Sequence, residues 1–218
     1  MSDVVHPRSG PGPRAEQKLR RALNPDALRT LFLDARTAHG FLPEPVDRSL
    51  LLRAAELAEI GPTSGNSLPM RIVYVVSAEG KERLKPALGE SNVAQTMQAP
   101  VTAICAVDRR FADAFPRTNP VGGARMVARW GDPSTSDAAQ TFAWDQALLQ
   151  YGYFTLALRA LGLDCGGMAG FDRAKVDAEF FADGRLRSQY LLNIGYGDDT
   201  VLKERAPRLT LDELVSFV

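Results

Sequence analysis

Apolar residues recur along the chain with two different periods, and these periods predict which segments are helices and which are strands. From Pro25 onward they recur at the i, i+3, i+4, i+7 spacing of one helix face, at Leu28, Leu31, Phe32 and Ala35. We expect this helix to end near Gly40, because glycine commonly terminates helices. Asp47 is a good N-cap for a second helix. Its core-facing side chains are predicted to be Leu51, Leu52, Ala55, Leu57 and Ala58.

Three segments have the composition of strands. Residues 72–76 are β-branched and aromatic, which predicts a first strand. Residues 101–107 are nearly all apolar and predict a second strand that is buried on both faces. Residues 189–197 predict a third strand that ends in glycine. Between the first two strands we expect a charged helix over residues 81–88 and a short helix over 93–97.

The longest predicted helix has Asp137 as its N-cap and runs to about Leu161. Its apolar residues cover more than one face, so we expect it to pack against two neighbours, one of which can be another subunit. Gly152 inside this helix costs about 1 kcal/mol relative to alanine, which indicates close packing at that point. A further helix is expected from Asp172 to Phe181.

Two stretches have no clear period. Residues 1–23 are rich in proline and glycine, and we predict that they form a disordered extension of a single domain over residues 24–218. Residues 111–136 scatter aromatic residues among prolines, glycines and arginines. We expect an irregular insertion there, of the kind that often serves as a binding loop or lid.

The segment 61–71 lies between the second helix and the first strand and has the composition of a loop. It contains two glycines and two prolines, together with the short polar side chains of Thr63, Ser64, Asn66 and Ser67. Such side chains can donate and accept hydrogen bonds. The segment can therefore be a connector that satisfies its own backbone, or it can bind a planar polar ligand.

Composition excludes several classes of function. The chain has 26 basic and 26 acidic residues, so its net charge gives no general case for binding nucleic acid or an anionic membrane. No run approaches the roughly 20 apolar residues that span a bilayer. Cys105 and Cys165 have neither metal-ligand nor disulfide-framework spacing, and both are expected to be reduced. We predict a cytoplasmic protein.

Motifs for side-chain catalysis are missing. His6 and His39 are not paired with a cysteine or a nucleophile elbow, which argues against a hydrolytic triad or a zinc site. No Gly-x-Gly-x-x-Gly follows the first predicted strand, and no P-loop occurs. If the chain is an enzyme, a cofactor must carry the chemistry.

Two further segments are candidate ligand contacts. Arg36, Thr37 and His39 could hold a phosphate, or they could be cations and a hydroxyl at the C-terminal end of a helix, where the helix dipole favours positive charge. The glycines of residues 162–171 allow a backbone to approach a flat ligand closely.

Five short segments serve as landmarks: Arg36-Thr37 with Phe41, residues 61–69, residues 168–172, residues 193–197 and residues 207–209. They occur in the order seen in the FMN-dependent nitroreductase family, which residues 25 to 218 therefore resemble. Within that family, residues 83–88, 99–104 and 195–198 are most similar to the malonic semialdehyde reductases, which form 3-hydroxypropionate.

The resemblance implies an α+β fold with a central mixed sheet flanked by helices, completed in a homodimer that holds two FMN molecules at its interface. The residues that it places near the FMN phosphate and ribityl chain are Arg36, Thr37, His39, Arg205 and Arg208. Those that it expects to reach the flavin from the partner subunit are Pro62, Thr63, Ser64 and Asn66. It also implies that the backbone of Met168, Ala169 and Gly170 lies beside the isoalloxazine ring, with an N–H near N5.

The chain departs from the family pattern at three positions. Ala35 and His39 stand where the family often has basic residues, and Ala169 stands where it often has glutamate. We therefore expect phosphate affinity and flavin tuning to differ from those of typical members.

The implied activity is a two-step, ping-pong hydride transfer from NADH or NADPH through FMN to a small electrophile, with malonic semialdehyde as the expected acceptor. No acid of the usual kind lies near the landmarks, so water is expected to supply the proton. Arg125 or Arg129 in the insertion could bind the substrate carboxylate or could form surface salt bridges. The alternatives are a broad nitroreductase or quinone reductase, and a non-catalytic protein that binds or stores FMN.

Overall fold

A computed structural model describes residues 21–132 and 136–218, so that most of the predicted N-terminal extension lies outside the described residues. The helices of these residues are α1 (Pro25–Leu28), α2 (Arg48–Glu59), α3 (Ala78–Leu84), α4 (Glu90–Gln98), α5 (Phe115–Thr118), α6 (Gly123–Trp130), α7 (Asp137–Ala160), α8 (Arg173–Phe180) and α9 (Leu211–Leu214). None of the helices in this part of the chain has the length and apolar character required to cross a bilayer.

The strands are β1 (Met70–Val75), β2 (Val101–Asp108), β3 (Asp164–Met168) and β4 (Leu186–Gly195). They form one sheet in the order β1-β2-β4-β3, and every neighbouring pair is antiparallel. The resemblance implies a mixed sheet, but parallel pairing in the described residues is confined to a single bridge between Thr37 and Cys165. That bridge brings the segment after α1 to the open edge of β3.

Helices cover both faces of the sheet, as the resemblance implies. On one face α2 and α7 pack against the side chains of Ala103, Cys105 and Val107 in β2. On the other face α3 and α8 pack against Ile104 and Ala106. All eight residues of β2 are buried, which confirms the prediction of a strand covered on both sides.

Several predicted helix features are confirmed, and two are corrected. Asp47 caps α2 by accepting a hydrogen bond from the Ser49 N–H at 2.7 Å. The cap of α7 is Ser136 rather than Asp137, because the Ser136 hydroxyl accepts from the Ala139 N–H. Leu52, predicted to face the core, is 52% exposed.

The predicted irregular insertion is helical over most of its described length. A 3₁₀ turn at Phe111–Ala114 precedes α5 and α6. Aromatic side chains fix these turns, since the ring of Phe111 lies 6.1 Å from that of Trp130, which in turn lies 4.6 Å from that of Phe142 on α7. The sequence pattern does not reveal this aromatic cluster, because its members lie far apart in the chain.

The first predicted helix is shorter than its period indicates. α1 ends at Leu28 and continues as a π-helical turn over Arg29–Leu33. Leu28 and Phe32, predicted to lie on a buried face, are 41% and 53% exposed. The apolar pattern is present, but nothing in the described part of one chain covers these two side chains.

Candidate functional site

A basic pocket of about 330 Å³ forms where the segment after α1 meets the C-terminal segment. It brings together all five residues that the resemblance assigns to the phosphate end, Arg36, Thr37, His39, Arg205 and Arg208. Arg159 of α7, Lys203 and Glu204 also line it. Five arginine and lysine side chains therefore face one carboxylate, a balance that suits a phosphate dianion. An adjoining cavity shares Arg36 and Arg205 but is also lined by Asp34, Asp164 and Asp199, so it suits an anion less well.

Hydrogen bonds to backbone carbonyls hold the guanidinium groups of this pocket in place. Arg36 donates to the carbonyl of Lys203, and Arg205 donates to the carbonyls of Leu33 at 2.8 Å and Ala35 at 3.2 Å. Each of these bonds joins the N-terminal and C-terminal sides of the pocket. Arg36 and Arg205 thus hold the two sides of the pocket together and also contribute positive charge to it.

The edge of β3 fixes the position of the Arg36–His39 segment. The Ala38 N–H donates to the Cys165 carbonyl at 2.9 Å. A Cβ atom on Gly166 would lie only 2.4 Å from the Ala38 carbonyl oxygen, so the two backbones can approach this closely only because Gly166 has no side chain. The glycine-rich stretch, taken from the sequence as a close-approach segment without assigned secondary structure, is therefore a strand at a sheet edge.

β3 ends at Met168, and the other two residues predicted to lie beside the flavin ring, Ala169 and Gly170, follow it directly. Backbone groups alternate in direction along an antiparallel strand. Because Cys165 faces the outer edge, the N–H and C=O of Gly167 face that edge as well. Met168 is buried, whereas Ala169 and Gly170 are exposed. The strand thus ends in a small, accessible backbone surface with polar groups at its edge.

A buried ammonium group lies beneath the end of β3. Lys81 of α3 is 5% exposed, and its Nζ donates to the carbonyls of Thr96 (2.8 Å) and Ala99 (3.0 Å) and to the Thr102 hydroxyl (2.6 Å). No carboxylate of the described chain lies within 4 Å of this nitrogen. Burial lowers the pKa of Lys81 to about 8, while the three acceptors around Nζ match the three hydrogens of the ammonium form.

Further hydrogen bonds connect this ammonium group to Met168. An ammonium can only donate, so the Thr102 hydroxyl accepts from Lys81 and donates to Asn193 Oδ1 at 2.8 Å. Asn193 Nδ2 then donates to the Thr96 hydroxyl at 3.1 Å, and that hydroxyl donates to Met168 Sδ at 3.4 Å. These hydrogen bonds fix the position of the Met168 side chain.

The loop predicted to reach a flavin does not line the basic pocket of its own chain. The Asn66 side chain donates to the Thr118 carbonyl at 2.6 Å, and Asn119 donates to the Gly65 carbonyl at 3.1 Å. Leu68 has a φ of 43°, a conformation that costs a residue with a side chain on the order of 1–3 kcal/mol. The loop is therefore held in a defined shape against α5 and the turn that follows it.

Arg125 and Arg129 lie one turn apart on α6, and both are exposed. Arg129 stacks over the ring of the neighbouring Trp130 at 5.2 Å. Neither residue lines the basic pocket. Their assignment as substrate contacts stays a prediction.

Sequence reasoning missed several polar residues that surround the candidate site. Arg159 and Lys203 line the basic pocket, and α4 contributes Asn92 and Gln95, which contact Gly170 and His39. The signal for α4 was present, because Asn92, Gln95 and Thr96 follow the i, i+3, i+4 spacing of one helix face. Only a fold could show what that face contacts.

Comparison with known proteins gives a consistent result. A family model described as the nitroreductase family matches residues 34–196. A curated protein of Burkholderia lata, named as a candidate NADH dehydrogenase/NAD(P)H nitroreductase, is 47% identical over 192 residues, which are 88% of this chain and 96% of that protein.

Two solved structures share the fold at low sequence identity. One is a candidate nitroreductase in complex with FMN from Exiguobacterium sibiricum, with a TM-score of 0.76 and 18% identity, covering 92% of this chain and 100% of that one. The other is a candidate NAD(P)H:FMN oxidoreductase from Staphylococcus epidermidis, with a TM-score of 0.76 and 20% identity, covering 94% and 100%. At these identities the likeness establishes the fold.

Proposed function

The chain belongs to the nitroreductase family, and from this we propose that it is an FMN-dependent NAD(P)H oxidoreductase whose domain spans residues 24–218. The observation that carries this function is the pairing of a basic pocket with the exposed backbone surface at the end of β3. His39 lines the pocket and Gly170 belongs to that surface, and both contact α4. One elongated ligand with an anionic end and a flat polar end would fit both.

The pocket supports phosphate binding through its excess of positive charge. The side chains of Arg159, Lys203 and Arg208 join those of Arg36 and Arg205 around a volume of about 330 Å³. Arginine presents a planar fork of donors that matches phosphate oxygens, and hydrogen bonds to a charged group are about twice as strong as neutral ones.

The end of β3 supports binding of the ring. An isoalloxazine carries carbonyl groups and a ring N–H along its edge, which suit the outward-facing backbone groups of Gly167 and the exposed backbone of Ala169 and Gly170. When bound, FMN would supply the hydride relay, by accepting a hydride from NADH or NADPH in one half-reaction and giving it up to an acceptor in the other. The residues of the chain would bind and orient the reactants, and water would supply the proton.

We propose that the functional form is a homodimer in which Pro62, Thr63, Ser64 and Asn66 reach the partner's flavin. This is supported by the absence of the loop from the lining of its own basic pocket and by apolar surface that the described part of one chain leaves uncovered. That surface includes Phe32, Leu149, Tyr153 and several C-terminal residues, among them Leu211, Leu214 and Phe217. Exposed apolar groups in such number are typical of a surface that another subunit covers.

Gly152 offers a test of the dimer. It lies on the exposed side of α7, and nothing in the described chain lies within 4 Å of a Cβ atom built on it. A single chain should therefore accept Gly152→Arg, which also removes a helix-destabilising glycine. A second subunit packed closely there would meet an unpaired charge. We therefore expect the dissociation constant of the dimer to rise by at least about 100-fold.

Sedimentation equilibrium would measure this effect, with FMN content measured on the same samples. Ala178→Arg provides the matched control, because it introduces the same side chain at an exposed position of α8. If Gly152→Arg remained a dimer with full FMN content, α7 would not form the interface.

For the acceptor we propose malonic semialdehyde, reduced to 3-hydroxypropionate, with Arg125 or Arg129 binding the carboxylate. The resemblance of residues 83–88, 99–104 and 195–198 to the semialdehyde reductases supports it. A second candidate is a nitroaromatic or quinone acceptor, and the nitroreductase name of the 47% identical relative favours the nitroaromatic. We place either activity in the cytoplasm, where free thiols such as those of Cys105 and Cys165 stay reduced.

Anaerobic half-reactions test these proposals. NADH or NADPH is expected to bleach the flavin absorption of FMN-loaded protein, and the acceptor that restores it fastest is the better substrate.

Arg125→Ala should raise the KM for the semialdehyde and leave the KM for an uncharged quinone unchanged. Protein that binds FMN but is not bleached would indicate a flavin-storage role, and failure to bind FMN would rule out the proposed function.

A further inference from the structure

A short polar face on α4 connects the two ends of the candidate cofactor site. Gln95 Oε1 lies 3.3 Å from His39 Nδ1 in the basic pocket. Gln95 Nε2 donates to Asn92 Oδ1 at 2.7 Å, and Asn92 Nδ2 donates to the carbonyl of Gly170 at 3.2 Å. Three hydrogen bonds thus run from the phosphate end to the ring end.

The directions of these hydrogen bonds follow from the group at one end. The Gly170 carbonyl can only accept, so Asn92 must present its NH₂ group there and its oxygen to Gln95. Gln95 must then present its NH₂ group to Asn92 and its oxygen to His39. An oxygen at Gln95 requires a hydrogen on His39 Nδ1. The chain of bonds therefore fixes the tautomer of His39.

The same helix also supports Met168 from below. Thr96, one residue after Gln95, donates to Met168 Sδ and is itself held by Asn193 and by the carbonyl contact to Lys81. Met168 and Gly170 flank Ala169, so α4 holds the ring-binding segment on both sides. This support involves buried groups of three other elements and is independent of the bonds to His39.

We infer that α4 is a brace for the proposed cofactor, and that Asn92 and Gln95 are positioning residues which hold the ring end and the phosphate end at a fixed separation. The inference rests on the proposed function for the identity of the ligand. With Nδ1 bonded to Gln95, Nε2 is the nitrogen of His39 that stays available to a ligand in the basic pocket. His39 stands where the family often has a basic residue, and the orientation of its ring would thus depend on Gln95.

The tautomer can be measured without any cofactor. In a His6→Gln background His39 is the only histidine, and a long-range ¹H–¹⁵N correlation spectrum of the neutral ring distinguishes the two tautomers. We expect the Nδ1–H form in this background and a shift toward the Nε2–H form in the additional variant Gln95→Leu. Gln98→Leu makes the same change at an exposed position of α4 and should leave the spectrum unaltered.

Ligand affinities then test the positioning role. Gln95→Leu should weaken FMN binding about fivefold to tenfold and riboflavin binding less than about twofold, since riboflavin lacks the phosphate. Asn92→Leu should weaken both ligands to a similar degree, because it acts at the ring end. Gln98→Leu should change neither.

The outcomes separate this inference from the proposed function. An Nε2–H tautomer before the Gln95 substitution would overturn the brace, even in a protein that binds FMN well. A tautomer that shifts in Gln95→Leu with no change in FMN affinity would overturn the positioning role. Wild-type protein that binds no FMN would overturn the proposed function and the positioning role with it, while the tautomer would still report whether the hydrogen bonds exist.

Discussion

Replacing Arg208 by alanine is expected to weaken FMN binding by about 10- to 100-fold while leaving riboflavin binding nearly unchanged. A hydrogen bond to a charged group contributes about 1.5–3 kcal/mol, and about 1.4 kcal/mol corresponds to a factor of ten in affinity. Riboflavin has the same ring and lacks the phosphate. A selective loss would therefore locate the phosphate in the basic pocket.

Arg208 is the best residue for this test because it supports little else. Its Nη1 donates to the carbonyls of Ala206 and Pro207 in its own turn, and its other nitrogens have no protein partner in the described chain. Arg36 and Arg205 also join the two sides of the pocket, so their loss would change its shape as well as its charge.

Fluorescence titration of both ligands would give the two dissociation constants. Arg208→Lys should bind FMN with intermediate affinity, because it keeps the charge and loses the planar fork. Arg53→Ala removes a partly exposed arginine of α2 that pairs with Glu56, and it should affect neither ligand. Equal losses of FMN and riboflavin affinity in Arg208→Ala would contradict a phosphate-specific role.

Gly166→Ala is expected to lower the free energy of unfolding by about 1–3 kcal/mol and to abolish FMN binding. The added methyl group would lie 2.4 Å from the Ala38 carbonyl oxygen, a backbone atom that can move only with its whole segment. That movement would break the hydrogen bond from Ala38 to Cys165 and displace Arg36 and His39 from the basic pocket. Gly166 does not have a positive φ, so the expected cost is steric.

Urea unfolding of the cofactor-free protein, followed by tryptophan fluorescence, would measure the loss of stability. Gly167→Ala is the matched control in the adjacent position. Its methyl group would lie 2.5 Å from the hydroxyl of Tyr151, a side-chain atom that can shift more easily than a backbone segment, so we expect a smaller loss of stability than in Gly166→Ala. Similar stabilities for Gly166→Ala and wild type would show that the Arg36–His39 segment is not fixed by this contact.

Local patterns were sufficient for the elements with strong periods. The continuous apolar run of β2 predicted a strand buried on both faces, and Asp47 and Asp172 predicted the starts of two helices. β3 was missed, because two glycines and an aspartate have low strand propensity. Pairing with β4 and the bridge to Thr37 make that segment a strand.

Some residues of the candidate site could be predicted from the sequence and others could not, and this difference has a physical cause. Arg36, Thr37, His39, Arg205 and Arg208 were predicted from a resemblance between ordered landmarks, and the fold does bring them to one pocket. Asn92 and Gln95 matter because of contacts to residues 78 and 56 positions away, respectively. The sequence pattern placed Lys81 only at the start of a charged helix, yet its side chain is buried.

The sequence by itself determined the helical and strand periods, the family and the types of side chain available to bind an anion. These follow from interactions between neighbours in the chain or from the order of short landmarks. The tertiary structure alone decided that β3 meets the Arg36–His39 segment, that α4 joins both ends of the site, and that Lys81 is buried. Those features depend on hydrogen bonds and packing between residues far apart in the chain, which no local period encodes.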